Sequence, residues 1–335
     1  MDFGLGAFES PKDKRTIKAK SLAFSGTPLI KGGFNFTPDD ILHQAKVGIC
    51  TAIHLIQNRN KANGKKYSAD FQYLLQKKYY DFNWTEGSSI LSALKVGKKF
   101  GFLPESEWTW TTQEDREDDY VHYLTKLLAI PDKEIERLIA LCVDKIGGYA
   151  QVDINPQAIA KAIEESEAGV LCRYEVGKEW FTSPKGKSSW KEKDINPLRA
   201  PKEIISGHAI DKIKYDFTVN EMFTLANTWS DKWCRKGCAD VNFKNYKPTE
   251  VWTITKGSVI SRFDKNLYFG CYGNEVKNLQ NALKIKGFFN YESTGYYGAI
   301  TFLAVKAYQK ANGIKTTGNC YELTRAQLNK DFNLS

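Results

Sequence analysis

Lys46-Val47-Gly48-Ile49-Cys50-Thr51-Ala52-Ile53-His54-Leu55-Ile56-Gln57-Asn58 is the stretch on which the reading of this chain turns. Ala52, Ile53 and Ile56 recur at helical spacing, so Cys50–Asn58 predicts a buried helix with Cys50 in its first turn. There the unpaired backbone N–H groups and the helix dipole favour a thiolate, lowering the thiol pKa from its ordinary ~8.5. The same residues also suit a core cysteine. With His54 one turn on, they suit two ligands of a metal site as well. The segment alone leaves these three readings open.

Seven cysteines (Cys50, Cys142, Cys172, Cys234, Cys238, Cys271 and Cys320) are too sparse for a disulfide scaffold, and the odd number leaves at least one unpaired. An unpaired cysteine with a distant histidine is a candidate nucleophile. Only His43, His54, His122 and His208 are available. No CxxC or HExxH spacing occurs, so neither a metal nor another cofactor is expected. Ser206-Gly207-His208-Ala209-Ile210 places a histidine at the start of a predicted strand, and Ala226-Asn227-Thr228-Trp229 places an asparagine beside a tryptophan. The order is cysteine, histidine 158 residues later, and asparagine 19 beyond that.

That order resembles the triad of the papain-like cysteine peptidases, whose histidine and asparagine lie about 130–150 residues after the cysteine. The excess fits a helical insertion near 111–150. The resemblance covers roughly residues 25–255. Gln44 stands six before Cys50, where the family keeps its oxyanion-hole glutamine, and Gly48 and Ala52 also match. Asn227 through Cys238 follow the family's Asn-Ser-Trp-Gly-x-x-Trp-Gly-x-x-Gly-Tyr run, with Trp229, Trp233 and Gly237 in register. Glu86-Gly87-Ser88-Ser89 is similar to the substrate-cleft segment of bacterial and phage members.

The resemblance implies acyl transfer. Cys50 is the nucleophile, His208 the acid–base partner, Asn227 its orienter and Gln44 an oxyanion donor. Gly48, Gly87, Ser88 and Trp229 line the cleft, with Trp229 shielding the Asn–His bond. Departures exist: Ile49 and Thr51 flank the nucleophile, and Val47 removes the family's disulfide cysteine. Cys234 and Cys238 stand where the family has Gly and Tyr; they fit either a hairpin disulfide or two thiols beside Trp233.

Ser88–Phe100 predicts a second helix, with Ser88 and Ser89 as caps and Gly101 as its stop. Asp115–Ile146 predicts one or two amphipathic helices, and Ile159–Ile163 a further one. Val170–Val176, His208–Tyr215, Phe223–Ala226 and Val251–Ile254 predict strands. Helices first and strands later argue α+β. Residues 1–37 read as an extended surface arm, of which 1–25 precede a peptidase domain at 26–255.

After a boundary near Thr255–Leu267, Val276–Ile285, Ala299–Lys310 and Leu323–Lys330 predict three short helices. Gly287-Phe288-Phe289, Gly295-Tyr296-Tyr297-Gly298, Gly313-Ile314 and Thr317-Gly318 punctuate them. This run, 267–332, is similar to the peptidoglycan-binding domain of wall hydrolases. Tyr296 and Tyr297 are its candidate sugar-stacking residues.

Charge points the same way without deciding it. Basic residues number 48 against 39 acidic, and Lys256–Ser335 alone holds 11 basic and 5 acidic. Such a segment suits an anionic partner: nucleic acid, acidic lipid or a wall polymer. With the resemblance, the expected partners are peptidoglycan and a peptide or protein substrate, with no nucleic acid. No apolar run approaches the ~18 residues of a membrane helix, and the start shows no secretory signal.

The expected protein is therefore a papain-like α+β peptidase with an all-α three-helix wall-binding domain. It acts at the bacterial cell wall and is released by lysis or carried in a virion, as a phage lysin would be. The alternatives are a wall-anchored general protease, or a non-catalytic wall-binding protein with a degenerate peptidase domain.

Overall fold

Cys50 through Arg59 are all buried, so the helix that starts at Cys50 runs through the middle of its unit and shows no solvent-exposed face over that length. The computed structural model describes residues 4–12, 29–181, 198–218, 220–255, 260, 262–291, 293–332 and 334. They divide into two compact units, one comprising residues up to 255 and the other those from 260 onward.

The first unit opens with β1 (Ala7–Phe8) and β2 (Lys31–Gly33). A helical half follows, made of α1 (Cys50–Asn63), α2 (Ala69–Gln76), β3 (Ser88–Ser89), α3 (Ile90–Lys99), α4 (Gln113–Glu117), α5 (Tyr120–Leu128) and α6 (Asp132–Ala140). Then come β4 (Gly148–Gln151), α7 (Pro156–Glu165), β5 (Val170–Val176), β6 (Ser206–Asp216), β7 (Met222–Ala226), β8 (Cys238–Asn242) and β9 (Glu250–Thr255). The strands form an antiparallel sheet in the order β4-β9-β5-β6-β7-β8. The long β6 pairs with β5 along Ser206–Lys212 and, past a bulge, with β2 along Lys214–Asp216. Helix α1 lies against β6. The class is α+β, as the sequence predicts.

Local chemistry sets several boundaries. Ser89 caps α3 by accepting from the Ser92 amide, and Gly101 adopts φ +87° beyond its end. Asp115–Ile146 forms three short helices rather than one or two. Thr112 and Asp119 cap α4 and α5 through their side chains, and Pro131 precedes α6. Helix α2 and strands β4 and β8 have no counterpart in the sequence reading.

The first described residues of the N-terminal arm, 4–7, are not a surface feature, whereas most of 8–12 and 29–37 is exposed or half-exposed. β1 pairs in parallel with β3, and Gly4, Gly6 and Ala7 are buried. Glycine makes the passage possible. A Cβ on Gly4 would lie 2.0 Å from the Val47 carbonyl oxygen, and one on Gly6 would lie 2.6 Å from that of Gly48.

The second unit contains α8 (Asn274–Ile285), α9 (Ala299–Ala311) and α10 (Glu322–Asp331). Ile260 and Phe263 already belong to its core, so it begins earlier than 267. Two buried glutamines pin its turns. Gln280 accepts from the Gly295 amide and donates to Tyr296 and Thr301, while Gln309 accepts from Gly318 and donates to Thr317, Asn319 and Thr324. Among the described residues no helix is long and apolar enough to cross a membrane.

Gln309→Leu leaves the Gly318 amide without its acceptor and should destabilise this unit by about 1–3 kcal/mol. Hydrogen exchange of the α9 amides in the full chain checks it; unchanged protection would show that the glutamine does not hold the turn.

Candidate active site

Three elements bring four polar side chains together at the edge between helices and sheet. Cys50 is the first residue of α1, and its thiol lies beside the backbone amide of Ala209 on β6. His208 precedes Ala209, and its Nε2 is 2.8 Å from Asn227 Oδ1, just past β7. Gln44 precedes α1; its amide donates to the Thr228 carbonyl at 2.8 Å. Its side-chain Nε2 donates to the carbonyls of Gly4 (2.7 Å) and Val47 (3.1 Å). All four side chains have 0% exposure.

Aromatic rings seal the histidine from water. Trp229 lies 4.7 Å from the His208 ring, centroid to centroid, and Trp180 lies 5.9 Å away. Phe181 stacks on Trp229 at 5.1 Å. The other imidazole nitrogen, Nδ1, is buried and makes no hydrogen bond.

The N-terminal segment lies across this group. Gly4 donates to Ala45, Gly6 donates to Gly207, and Ser88 donates to the Gly6 carbonyl at 2.8 Å. Arg173 Nε donates to the Ala7 carbonyl at 2.9 Å. The segment thus occupies the backbone groups of Ser88 and Gly207, beside Gly48 and Gly87. Gln44 grips the carbonyl of Gly4, whereas the thiol meets the amide of Gly6. Cys50 and Gln44 therefore face different peptide units of the segment that covers them.

Covering the site dries it, and dryness disfavours charge. Burial pushes the Cys50 thiol up to about 11, although the amides of Ala209, Gly6 and Thr51 pull it down. Burial takes His208 down to about 3, helped by neighbouring His54 and opposed by its bond to Asn227. The covered pair is neutral thiol and neutral imidazole. The helix-start argument for a thiolate is outweighed here by desolvation.

Several expectations meet the structure differently. His54 is spent on Asp211 and Thr228, and among the described residues no cluster of potential metal ligands occurs. Val47 carries no disulfide. Beside it, Glu86 accepts from the Gly48 amide at 2.5 Å through its carboxylate, and burial raises its pKa. Cys238 is a free thiol, so the bridge to Cys234 is not formed. The residue paired with Cys238 across the turn is Arg235, which shifts Cys234 out of register. Tyr297 is fully buried and donates its hydroxyl to the Gly318 carbonyl, so it offers no face to a ligand; Tyr296 is exposed, beside exposed Tyr272. The sequence reading missed Thr228, Asp211 and Arg173, although Asp211 is three residues from His208 and Thr228 adjoins Asn227.

Residues 272–328 match the family model described as "Putative peptidoglycan binding domain". Among solved structures, the chain is similar to xylellain, a cysteine protease from Xylella fastidiosa. The identity is 18% over 76% of this chain and 96% of that one, with a TM-score of 0.56. A cysteine protease from Carica candamarcensis aligns at 15% identity over 66% of this chain and 98% of its own, TM-score 0.46. The N-terminal domain of SleB aligns at 28% identity over 20% and 93%, TM-score 0.20. No curated protein matches the sequence. The first unit has the papain-like fold, and the second is a helical peptidoglycan-binding domain.

Two outcomes follow from the cover. At pH 7 a thiol of pKa 11 is ~10⁻⁴ thiolate and one of 8.5 about 3%. Gly6→Val, which cannot seat, should therefore speed iodoacetamide labelling of Cys50 about a hundredfold or more, read by peptide mapping; equal rates would show that the segment leaves Cys50 open. His208 has a folded pKa below its unfolded one, so the unfolded chain takes up a proton that the folded chain forgoes as pH falls from 6.5 toward 3. Folded stability should drop by about 1.4 kcal/mol per pH unit from this residue across that window, and not above it. Denaturant midpoints at pH 7.5 and 5 check the sign.

Proposed function

We propose that this chain is a cysteine peptidase of the bacterial cell wall, cleaving peptide bonds in peptidoglycan or in wall-associated protein. The observation that carries it is the buried His208–Asn227 bond set next to Cys50, with His208 Nδ1 left without a partner. A peptide whose carbonyl replaces that of Gly4 on Gln44 meets a donor already oriented for an oxyanion.

Once the cover leaves, His208 takes the Cys50 proton and the thiolate attacks the carbonyl carbon. Gln44 Nε2 and the Cys50 backbone N–H hold the oxyanion. As the tetrahedral species collapses, the C–N bond breaks, and His208 gives its proton to the departing amine. Water, deprotonated by His208, then releases the acyl group from sulfur. Asn227 keeps the imidazole aligned throughout.

The second unit supports the wall as the place of action, since tethering raises the local concentration of substrate. Its pairing with a peptidase fold also favours a lytic role of the phage type over general protein processing. The complete set of Cys50, His208, Asn227 and Gln44 argues against a degenerate, purely structural protein.

Full chain carrying Gly6→Val, incubated with peptidoglycan and separately with casein, should yield new amino and carboxyl termini by mass analysis. Cys50→Ala should abolish them, and losing Gln44 should cost about 10²–10³ in rate. Glycan-strand cleavage, or products that persist in Cys50→Ala, would overturn the reading. The full chain should also sediment with peptidoglycan, less at high salt if the basic second unit contributes. A chain ending at residue 256 that sediments equally well would remove the tether.

A further inference from the structure

Two ionisable side chains that take no part in the proposed chemistry lie directly behind it. His54 sits one helical turn from Cys50, Asp211 three residues beyond His208, and both are fully buried. Asp211 Oδ2 is 3.2 Å from His54 Nδ1 and accepts from Gln57 Nε2 at 3.0 Å. On its other side, His54 Nε2 is 3.1 Å from Thr228 Oγ1. Thr228 in turn donates to Gln44 Oε1 at 2.9 Å. The path ends on the side chain that would hold the oxyanion.

Proton counting gives this path a direction. Gln44 Nε2 spends its hydrogens on two carbonyls, and its Oε1 can only accept. The single hydroxyl proton of Thr228 therefore goes to Gln44. Toward His54 that hydroxyl can only accept, so His54 Nε2 must carry a proton. One further proton then lies between His54 Nδ1 and Asp211 Oδ2, on either atom. Burial favours the uncharged arrangement, raising Asp211 well above the carboxylate range and lowering His54 to about 3.

We propose that His54 and Asp211 are positioning residues for the oxyanion donor: by holding the Nε2–H form of His54 they aim the Thr228 hydroxyl at Gln44 Oε1, so that Gln44 turns its NH2 to the incoming carbonyl. This inference rests on the peptidase reading. The two ends of a glutamine amide are nearly isosteric, and a flip would set a lone pair against the developing negative charge. Thr228 forbids the flip only while its own proton cannot turn to His54.

The test uses full chain carrying Gly6→Val as parent, with casein as substrate. Thr228→Val should lower kcat about 10- to 100-fold with KM within about twofold, and Thr228→Ser should stay near the parent. In a Gln44→Ala background, Thr228→Val and His54→Leu should each cost less than about twofold more, because they act through Gln44. Iodoacetamide labelling of Cys50, which develops no oxyanion, should be unchanged. Additive losses in that background, or labelling that falls with kcat, would overturn the inference while leaving the peptidase reading intact. A parent that turns over neither casein nor peptidoglycan overturns the peptidase reading and this inference with it. Should a variant fail to fold, 15N spectra of histidine-labelled parent decide: a protonated His54 Nε2 is expected, and a bare one refutes the proposal.

Discussion

The packing of α1 on β6 is the contact from which the rest of the site follows. Positions 50, 54 and 57 share one helix face, and positions 209 and 211 share one face of the strand. Setting the first face on the second puts Cys50 beside Ala209, and both His54 and Gln57 on Asp211. His208, one residue from Ala209, lies close to the same helix, its ring 5.5 Å from that of His54. A register slip of one residue along β6 would turn Asp211 away and strand His54. The buried polar bonds behind Cys50 thus specify the alignment of Cys50 on β6.

A site held this dry cannot also be charged. The forces that make a cysteine at a helix start acidic are fixed dipoles of modest size, whereas complete burial of a thiolate costs more. What decides between them is water, and the segment at 4–8 controls water. The geometry that would do the chemistry and the environment that dries it come from different parts of the unit: one from α1, β6 and Asn227, the other from the segment at 4–8 and the rings on His208.

Legibility followed range in sequence. The helix at Cys50, the Ser89 cap and Gly101, and the strands at 170–176 and 222–226 carry their signals within a few residues, and the structure has them there. The cysteine–histidine–asparagine order needed a known pattern, since no local property links positions 158 residues apart. The cover could not be read at all. Gly4-Leu5-Gly6 reads as part of a surface arm until Val47 and Gly48 are known to lie within van der Waals range. Tyr296 and Tyr297 are indistinguishable as letters, and only the turn geometry sends one outward and the other onto Gly318. The spacing of Cys234 and Cys238 suited a hairpin bridge; the positive φ of Cys234 and Lys236 shifted the pairing to Arg235.

The cover's grip explains how such a site could be opened by substrate on the proposed reading. Its main-chain groups bond to Ala45, Gln44, Gly207, Ser88 and Arg173, and β1 adds its pairing with β3. At about 0.5–1.5 kcal/mol net each, these roughly offset ordering five residues at about 1–2 kcal/mol each. The segment also belongs to the same chain, so it loses no translational freedom on docking. An incoming peptide can take over the same backbone partners and add side-chain contacts that two glycines lack. It competes at its own local concentration, which is the quantity a wall-binding unit raises. On the proposed reading, localisation and unmasking would then be one event: free of the wall the site would stay covered, and among its substrate it would be opened.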